Sequence, residues 1–310
     1  MTMDATVTRK LLDRLLYTCI RGFFKMLGQI PPPTTRKLGN VLGDLGFGLD
    51  ARHRRIVLDN LKLAFGGNMD RQQRRAMARS VYHHLGQILF EIAWSFCNHP
   101  QVVHRRITVE GIHHFLDAHA HGKGVLLLTG HIGNWELLSF VGDRTTIPIN
   151  VVYRRMDFKP LNRFFEMLRS RFGARMIHSG RAMPKILKAL RKGEAVFTLM
   201  DQSVDWYDGV WVDFFGHPAC TSKGLALIAM KTRSPVLPTF MVREKNGFRA
   251  VFEAPISLTL TGDKTMDVYA NTQAYTRAIE RVIRRHPEQW FWVHRRWKRK
   301  PYCSWPRRQA

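Results

Sequence analysis

Gly124–Gly142, GVLLLTGHIGNWELLSFVG, is the stretch on which the reading of this chain turns. Val125–Leu128 is an apolar run short enough for one buried strand. The chain then breaks at Thr129-Gly130, presents His131, passes Gly133 and Asn134, and resumes as Trp135-Glu136-Leu137-Leu138-Ser139-Phe140. Asn134 is placed to cap a helix whose first turn holds Glu136, where the positive end of the helix dipole favours a carboxylate. On one continuous helix a five-residue step turns by ~140°, so the side chains of His131 and Glu136 would diverge. With His131 on the turn and Glu136 in the first helical turn, they meet. Strand–turn–helix is therefore the arrangement in which this spacing makes a His–carboxylate pair. In such a pair the imidazole takes a hydroxyl proton while the carboxylate fixes its tautomer. On these residues alone the alternative stays open: a histidine that ends a strand and a solvated first-turn acid.

Outward from this segment, the 310 residues carry 49 Lys+Arg against 24 Asp+Glu, a formal charge of +25. That excess attracts polyanions: nucleic acid, anionic lipid, an acidic carrier protein or a phosphorylated substrate. A hydrophobic content of 45% supports a sizeable core and excludes a disordered chain. Cys19, Cys97, Cys220 and Cys303 are far apart, without a C-x-x-C pair, and give neither a zinc signature nor a disulfide framework. A reducing, cytoplasm-facing setting follows. The adjacent pairs His83-His84 and His113-His114 point apart on a helix, and no H-E-x-x-H occurs, so no metal is expected.

Upstream, Leu11–Ile30 places Leu12, Leu15, Leu16, Cys19, Phe23, Met26 and Leu27 at helical spacing and gathers Lys10, Arg14, Arg21 and Lys25 on another face. The charges interrupt any run long enough to span a bilayer and break a signal-peptide core. Two readings are open: a helix packed on its own domain, or one lying in the plane of an anionic membrane. The chain's charge favours the second. Pro31-Pro32-Pro33 ends the segment, which divides the chain into an N-terminal membrane-associating segment, 1–33, and a domain, 34–310.

Helices are expected within Arg36–Leu49 and over Arg52–Phe65, the latter with Asn60 at its centre, and from the Asp70 cap to about Cys97. Val103–Gly111 alternates and reads as a strand, and Ile112–Ala120 as a short helix. Downstream, Ile147–Tyr153 and Ala195–Met200 read as strands, with Arg154-Arg155 ending the first and Asp201-Gln202 the second. Lys159–Phe172 reads as a helix, and Asn246-Gly247 between Ser234–Glu244 and Phe248–Ala254 signals a hairpin. Asn271–His286 reads as an arginine-rich helix. A carboxylate at a strand end, such as Asp201, sits where α/β sheets place their ligands.

Four blocks, in order, resemble the late acyltransferases of lipid A biosynthesis. GHIGNWE (130–136) matches that family's His-x4-Asp/Glu signature. Asp201-Gln202 resembles its Asp-Gln pair. GVWVDFFG (209–216), followed by Ala219 and Thr221, resembles its G-x-F/W-V-x-F-F-G block, and EQWFWVHRRWK (288–298) its C-terminal block. The resemblance runs from about Arg52 to Lys300 and implies a single-domain α/β fold of the glycerol-3-phosphate-acyltransferase kind. In that fold a mixed central sheet is wrapped by helices, here with an N-terminal amphipathic helix where family members commonly have a spanning one. It implies O-acyl transfer, without cofactor or metal, from an acyl carrier protein thioester to a hydroxyl of a lipid A precursor at the cytoplasmic face of the bacterial inner membrane.

In that reading His131 is the general base and Glu136 orients it. An important arginine of the family's Arg-x-Arg pattern lands on Arg171, with Arg169 as the other choice, and Asp201 positions Arg171 or the acceptor. Substrate contacts fall on Gly133, Asn134, Arg154, Arg169, Gln202, Arg295 and Arg296, with backbone N–H groups near Gly133-Asn134 and the Arg171 guanidinium as oxyanion donors. Other acceptors, a phosphatidylinositol mannoside or a lysophospholipid, suit the same motifs. From other classes stand a hydrolase and a non-catalytic basic membrane binder. The aromatic and basic C-terminal block also has the composition of a single-strand nucleic-acid binder, but no RNP, KH or zinc-finger pattern accompanies it, and no nucleic-acid partner is expected.

Overall fold

A computed structural model describes residues 2–298, with the side chains of residues 2–6, 32, 143 and 144 outside the description. Cys303 and the last residues of the family-like block, to Lys300, lie outside the described residues. The first half is mainly helical. It comprises α1 (Thr2–Leu27), α2 (Pro32–Leu49), α3 (Ala51–Phe65), α4 (Arg71–Cys97) and α5 (Pro100–His104), then β1 (Ile107–Glu110) and α6 (Ile112–Ala120). The quoted stretch follows as β2 (Val125–Thr129), a 3-10 helix at Trp135–Phe140 and α7 (Val141–Arg144). The second half runs β3 (Ile149–Tyr153), α8 (Lys159–Ser170), β4 (Arg175–His178), α9 (Met183–Arg191) and β5 (Ala195–Leu199). It ends with β6 (Gly209–Phe214), β7 (His217–Ser222), α10 (Gly224–Thr232), β8 (Val236–Glu244), β9 (Gly247–Phe252) and α11 (Lys264–Arg285).

Seven strands form one sheet in the order β1-β9-β8-β2-β5-β3-β4, parallel except where β8 meets β9. The chain is thus a single mixed α/β domain with helices flanking the sheet. β2 is central and buried at all five residues. Its side chains alternate between two cores: Leu126 and Leu128 join one with α9, α10 and α11, while Val125 and Leu127 join the other with α6 and α8. The β2–β5 register pairs Thr129 with Leu199, so whatever follows one strand lies beside whatever follows the other. β6 and β7 form a separate hairpin closed by Phe215-Gly216, whose φ values of 55° and 77° suit a tight primed turn.

Several elements differ from expectation; α11, for one, starts at Lys264, seven residues before the expected Asn271, behind an Asp263 cap. Pro100 starts a short helix, α5, so the strand expected over Val103–Gly111 is confined to Ile107–Glu110. The segment after Asn134 is a single 3-10 helix of six residues, and the Asn134 side chain makes no capping bond to it. β4 and α9 were not anticipated; β4 is a four-residue edge strand with a charged start, too short to show a period.

The Asp70 cap of α4 is a full capping box with Gln73. α2 lies so close to α4 that a Cβ on Gly39 would fall 2.8 Å from Gln87 Cα, and one on Gly86 2.1 Å from Gly39 O. With that face fixed inward, Leu38, Val41, Leu42, Leu45 and Leu49 are left exposed on the other. α1 packs on α4 and α8, with Phe24 stacked on Phe164 at a centroid distance of 4.3 Å. Its outer face exposes Leu11, Leu12, Leu15, Phe23 and Met26. Among the described residues no helix is long and apolar enough to cross a membrane.

Candidate active site

His131 stands two residues beyond the end of β2, and Asp201 two beyond the end of β5. The register that pairs Thr129 with Leu199 carries on: Met200 N–H donates to Thr129 O at 3.1 Å, and the two side chains meet. His131 Nδ1 lies 2.8 Å from Asp201 Oδ1, and the His131 backbone N–H donates to Asp201 Oδ2 at 2.9 Å. Trp290 Nε1–H adds a third bond, 2.7 Å to Oδ2. An ionised carboxylate only accepts, so Nδ1 carries the proton and the Nε2 lone pair is the basic site. Trp135 and Phe291 flank the ring. The imidazole side chain is 21% exposed, the carboxylate 1%.

The electrostatics follow from this geometry. Burial alone would raise the Asp201 carboxyl, but the His131 charge and the bonds from His131 and Trp290 outweigh it and hold it at about 2. Burial pushes the His131 imidazole down; Asp201 beside it, with a smaller contribution from the Glu136 charge, outweighs that and leaves it above its ordinary value.

The direct His131–Glu136 bond expected from the spacing is replaced by this long-range pair. Glu136 is instead gripped by Arg169: Nε to Oε2 and Nη2 to Oε1, both 2.7 Å, a bidentate fork. Trp135 Nε1–H also donates to Glu136 Oε1 at 3.1 Å. Burial lowers the guanidinium's pKa, but the Glu136 charge overcompensates and raises it. His131 feels both charges of this pair.

Arg171 does not reach Asp201. It sits at the C-cap of α8, where its guanidinium turns to the end of α4, donating to Phe96 O and, at 2.8 Å, to Asn98 O. It lines a groove of about 390 Å³ with Arg21, Lys25, Phe96 and Met167. A step of two residues on a helix turns by ~200°, which is why Arg169 and Arg171 face different ways.

Among the expected substrate contacts, Gly133 and Asn134 face inward. Gly133 N–H donates to Gln289 O at 2.9 Å, so it is not an oxyanion donor. Asn134 is wholly buried, with Nδ2 donating to Glu91 Oε2 at 2.9 Å. Arg296 is also enclosed: it donates to Cys220 O at 2.9 Å and to Thr221 Oγ1, lies over the Phe214 ring, and is lowered to about 10 by burial. It braces the β6–β7 hairpin. Arg154 and Arg295 are exposed, and Gln202 is half-buried beside Asp201.

Two side chains not singled out beforehand shape the site: Trp290, through its bond to Asp201, and His294, whose Nε2 accepts from Ser203 N–H at 2.8 Å. Burial lowers His294 to about 4, so it is neutral and holds the loop after Asp201. Asn60 of α3 pins the same segment through the carbonyls of Trp292 and His294. Their signal is present in the sequence as the C-terminal block EQWFWVHRRWK, 288–298. Among the described residues no group of three or more His, Cys, Asp or Glu side chains is placed to hold a metal ion.

A histidine ordered by a buried carboxylate at the C-terminal edge of a mostly parallel sheet has the geometry to deprotonate a hydroxyl. The sequence profile described as bacterial lipid A biosynthesis acyltransferase matches residues 6–299. The chain belongs to that family and is an acyltransferase. It is 28% identical over 285 residues to the lipid A biosynthesis lauroyltransferase of Escherichia coli K12, covering 90% of each chain. It is 27% identical over 282 residues to that organism's lipid A biosynthesis palmitoleoyltransferase, covering 88% of each. A phosphatidylinositol mannoside acyltransferase of Mycobacterium tuberculosis is 28% identical over 207 residues, 64% of each.

Proposed function

We propose that this protein transfers a fatty acyl chain from an acyl carrier protein thioester to a hydroxyl of a lipid A precursor, with His131 as general base. The observation that carries the reading is the doubly bonded Asp201–His131 pair, which leaves Nε2 as the basic nitrogen. Nε2 takes the hydroxyl proton as the oxygen attacks the thioester carbonyl. The tetrahedral intermediate collapses with cleavage of the C–S bond, and the imidazolium returns the proton to the leaving thiolate. Asp201 holds the tautomer and offsets the imidazolium charge without itself taking a proton. In place of Arg171, Arg169 is the cation whose charge reaches His131, and we assign it, buttressed by Glu136, to the developing oxyanion.

Exposed Met156 and Phe158 beyond β3, and Trp206 and Tyr207 beyond β5, offer an apolar rim at the same sheet edge for an acyl chain. The net charge of +25 suits an acidic carrier and a phosphorylated acceptor. The exposed apolar faces of α1 and α2 support peripheral seating on the cytoplasmic face of the inner membrane. The mannoside acyltransferase relative makes an inositol mannoside the second acceptor to try.

The test is purified protein with acyl carrier thioester and Kdo-bearing lipid A precursor, product lipids resolved by mass spectrometry. Acylated precursor that disappears in His131→Ala is the expected result. Undiminished transfer in that variant ends the base assignment, free fatty acid as the main product replaces the acceptor with water, and acylation of only the mannoside moves the acceptor.

A further inference from the structure

Arg243, in β8, is the hub of a polar cluster between α4, β8 and the segment after α11. Its Nη2 donates to Glu91 Oε2 at 2.9 Å, its Nε to Glu91 Oε1, and Nη1 meets Nδ1 of His84. Burial and the Arg243 charge push His84 well below its ordinary value, so the ring is neutral. With Nδ1 accepting from Arg243, its proton sits on Nε2, which is buried and has no hydrogen-bond partner among the described residues. The Arg243 backbone is clamped as well: its N–H donates to Gln289 Oε1 at 2.7 Å, and its carbonyl accepts from Gln289 Nε2 at 3.0 Å.

Both arms of this cluster end on two of the four residues that connect His131 to Glu136, Gly133 and Asn134. Gln289 O accepts from Gly133 N–H, and Glu91 Oε2 accepts from Asn134 Nδ2, each at 2.9 Å. Gly133 also bridges to Met241 on the same strand, at φ 58°. The side chains of Arg243 and Glu91 are 12% and 17% exposed. A largely buried ion pair is a poor source of net stability, because well-packed apolar residues of similar volume do as well or better. What apolar residues cannot do is hold the Asn134 side chain, and with it the turn, through a directed hydrogen bond.

We infer that Arg243 and Glu91 are positioning residues for the acyl-transfer reaction: they lock the Gly133-Asn134 turn and so set His131 relative to the Glu136–Arg169 pair. The inference rests on His131 being the base. Misplacement of a reacting group by about 1 Å costs on the order of 10²-fold in rate.

The test compares kcat and KM of the purified full chain for four variants. Asn134→Ala cuts only the last link and leaves the Arg243–Glu91 pair whole. Arg243→Lys keeps the charge and loses the fork, Glu91→Gln keeps an acceptor for Asn134, and His131→Ala checks the underlying reading. Expected are a kcat fall of roughly 10- to 100-fold in Asn134→Ala and Arg243→Lys with KM within about threefold, and partial retention in Glu91→Gln. In the double variant Asn134→Ala/Arg243→Lys the loss should be far less than the product of the single losses. Asn134→Ala within twofold of wild-type kcat, a loss carried by KM, or losses that multiply each overturn the positioning role. If His131→Ala retains activity, the base assignment fails instead, whatever the others show.

Discussion

Asp201 accepts hydrogen bonds from both the ring and the backbone amide of His131, across 70 residues of sequence. Side-chain and main-chain grips together fix where the imidazole starts and which way it faces. Asp201→Asn keeps the shape and discards the charge, so the ring loses its preferred tautomer and the imidazolium its counter-ion. Initial rates should show kcat lower by on the order of 10³- to 10⁴-fold, with little change in KM. His131→Ala should fall about as far, and the double variant scarcely further, since the two act as one unit.

The pH dependence carries signs that can be checked. With His131 as the proposed general base its unprotonated form is the active one, and its pKa lies above the ordinary value, so kcat/KM should rise with pH through a midpoint above about 6.5. Removing the Asp201 charge should move that limb toward lower pH. For stability the signs differ. Asp201 titrates lower folded than unfolded, so its contribution is full above about 3.9 and is lost as pH falls toward about 2. His131 titrates higher folded than unfolded, so its contribution is full below about 6.5 and lost as pH rises through its raised value. Rate profiles of wild type and Asp201→Asn, with denaturant midpoints across pH, test both.

How far the site was legible depended on separation along the chain. β2, β5, the Asn-Gly hairpin and the Asp70 cap were readable because each is written in consecutive residues. Asp201 was readable as a strand-end acid, but its pairing with His131 comes from the Thr129–Leu199 register, which no local pattern encodes. Glu136 seemed the partner because it is near in sequence; the 3-10 helix and Arg169 place it otherwise. Arg171 seemed the arginine because a motif counts positions and ignores the phase of the helix that carries them.

That phase gives a prediction. Arg169→Lys removes the fork to Glu136 and should lower kcat about 10- to 100-fold, because one ammonium cannot make both bonds and reach an oxyanion. Arg171→Ala only releases two carbonyls at the end of α4 and should leave kcat within about twofold. Steady-state rates of the two variants side by side decide it, and the reverse ranking would return Arg171 to the reaction.

Two glycines in the same motif should fail in different ways. A Cβ on Gly133 would fall 1.8 Å from Met241 O at φ 58°, a backbone clash with nowhere to relax. Gly133→Ala should therefore cost more than about 3 kcal/mol and yield little folded protein. A Cβ on Gly130 would lie 3.1 Å from Asp201 Cβ and Cγ, against a side chain that can give by a few tenths of an ångström. Gly130→Ala should fold with a small shift in thermal midpoint yet lose activity by pushing Asp201 off His131. Thermal melts and kcat together separate a folding defect from a misaligned pair.

The last prediction concerns the exposed aliphatic faces. Glycine contacts hold the inner face of α2 against α4, so the helix cannot roll to hide Leu42 and Leu45, which are 40% and 55% exposed. α1 presents Leu15 and Met26 outward, each 61% exposed, with Arg21 and Lys25 on a neighbouring stripe. Insertion of a leucine into a bilayer interface is favourable by up to about 1.5–3 kcal/mol when burial is complete, and basic residues add attraction to anionic lipid that salt screens. Leu42→Asp/Leu45→Asp and Leu15→Asp/Met26→Asp should each reduce partitioning onto phosphatidylglycerol vesicles by more than tenfold in co-sedimentation. Rates on acceptor dispersed in detergent should stay near wild type while rates on vesicle-borne acceptor fall. Wild-type partitioning should weaken from 50 to 500 mM salt without vanishing, since the aliphatic contribution is not screened. Unchanged sedimentation in both variants would assign these faces to something other than lipid.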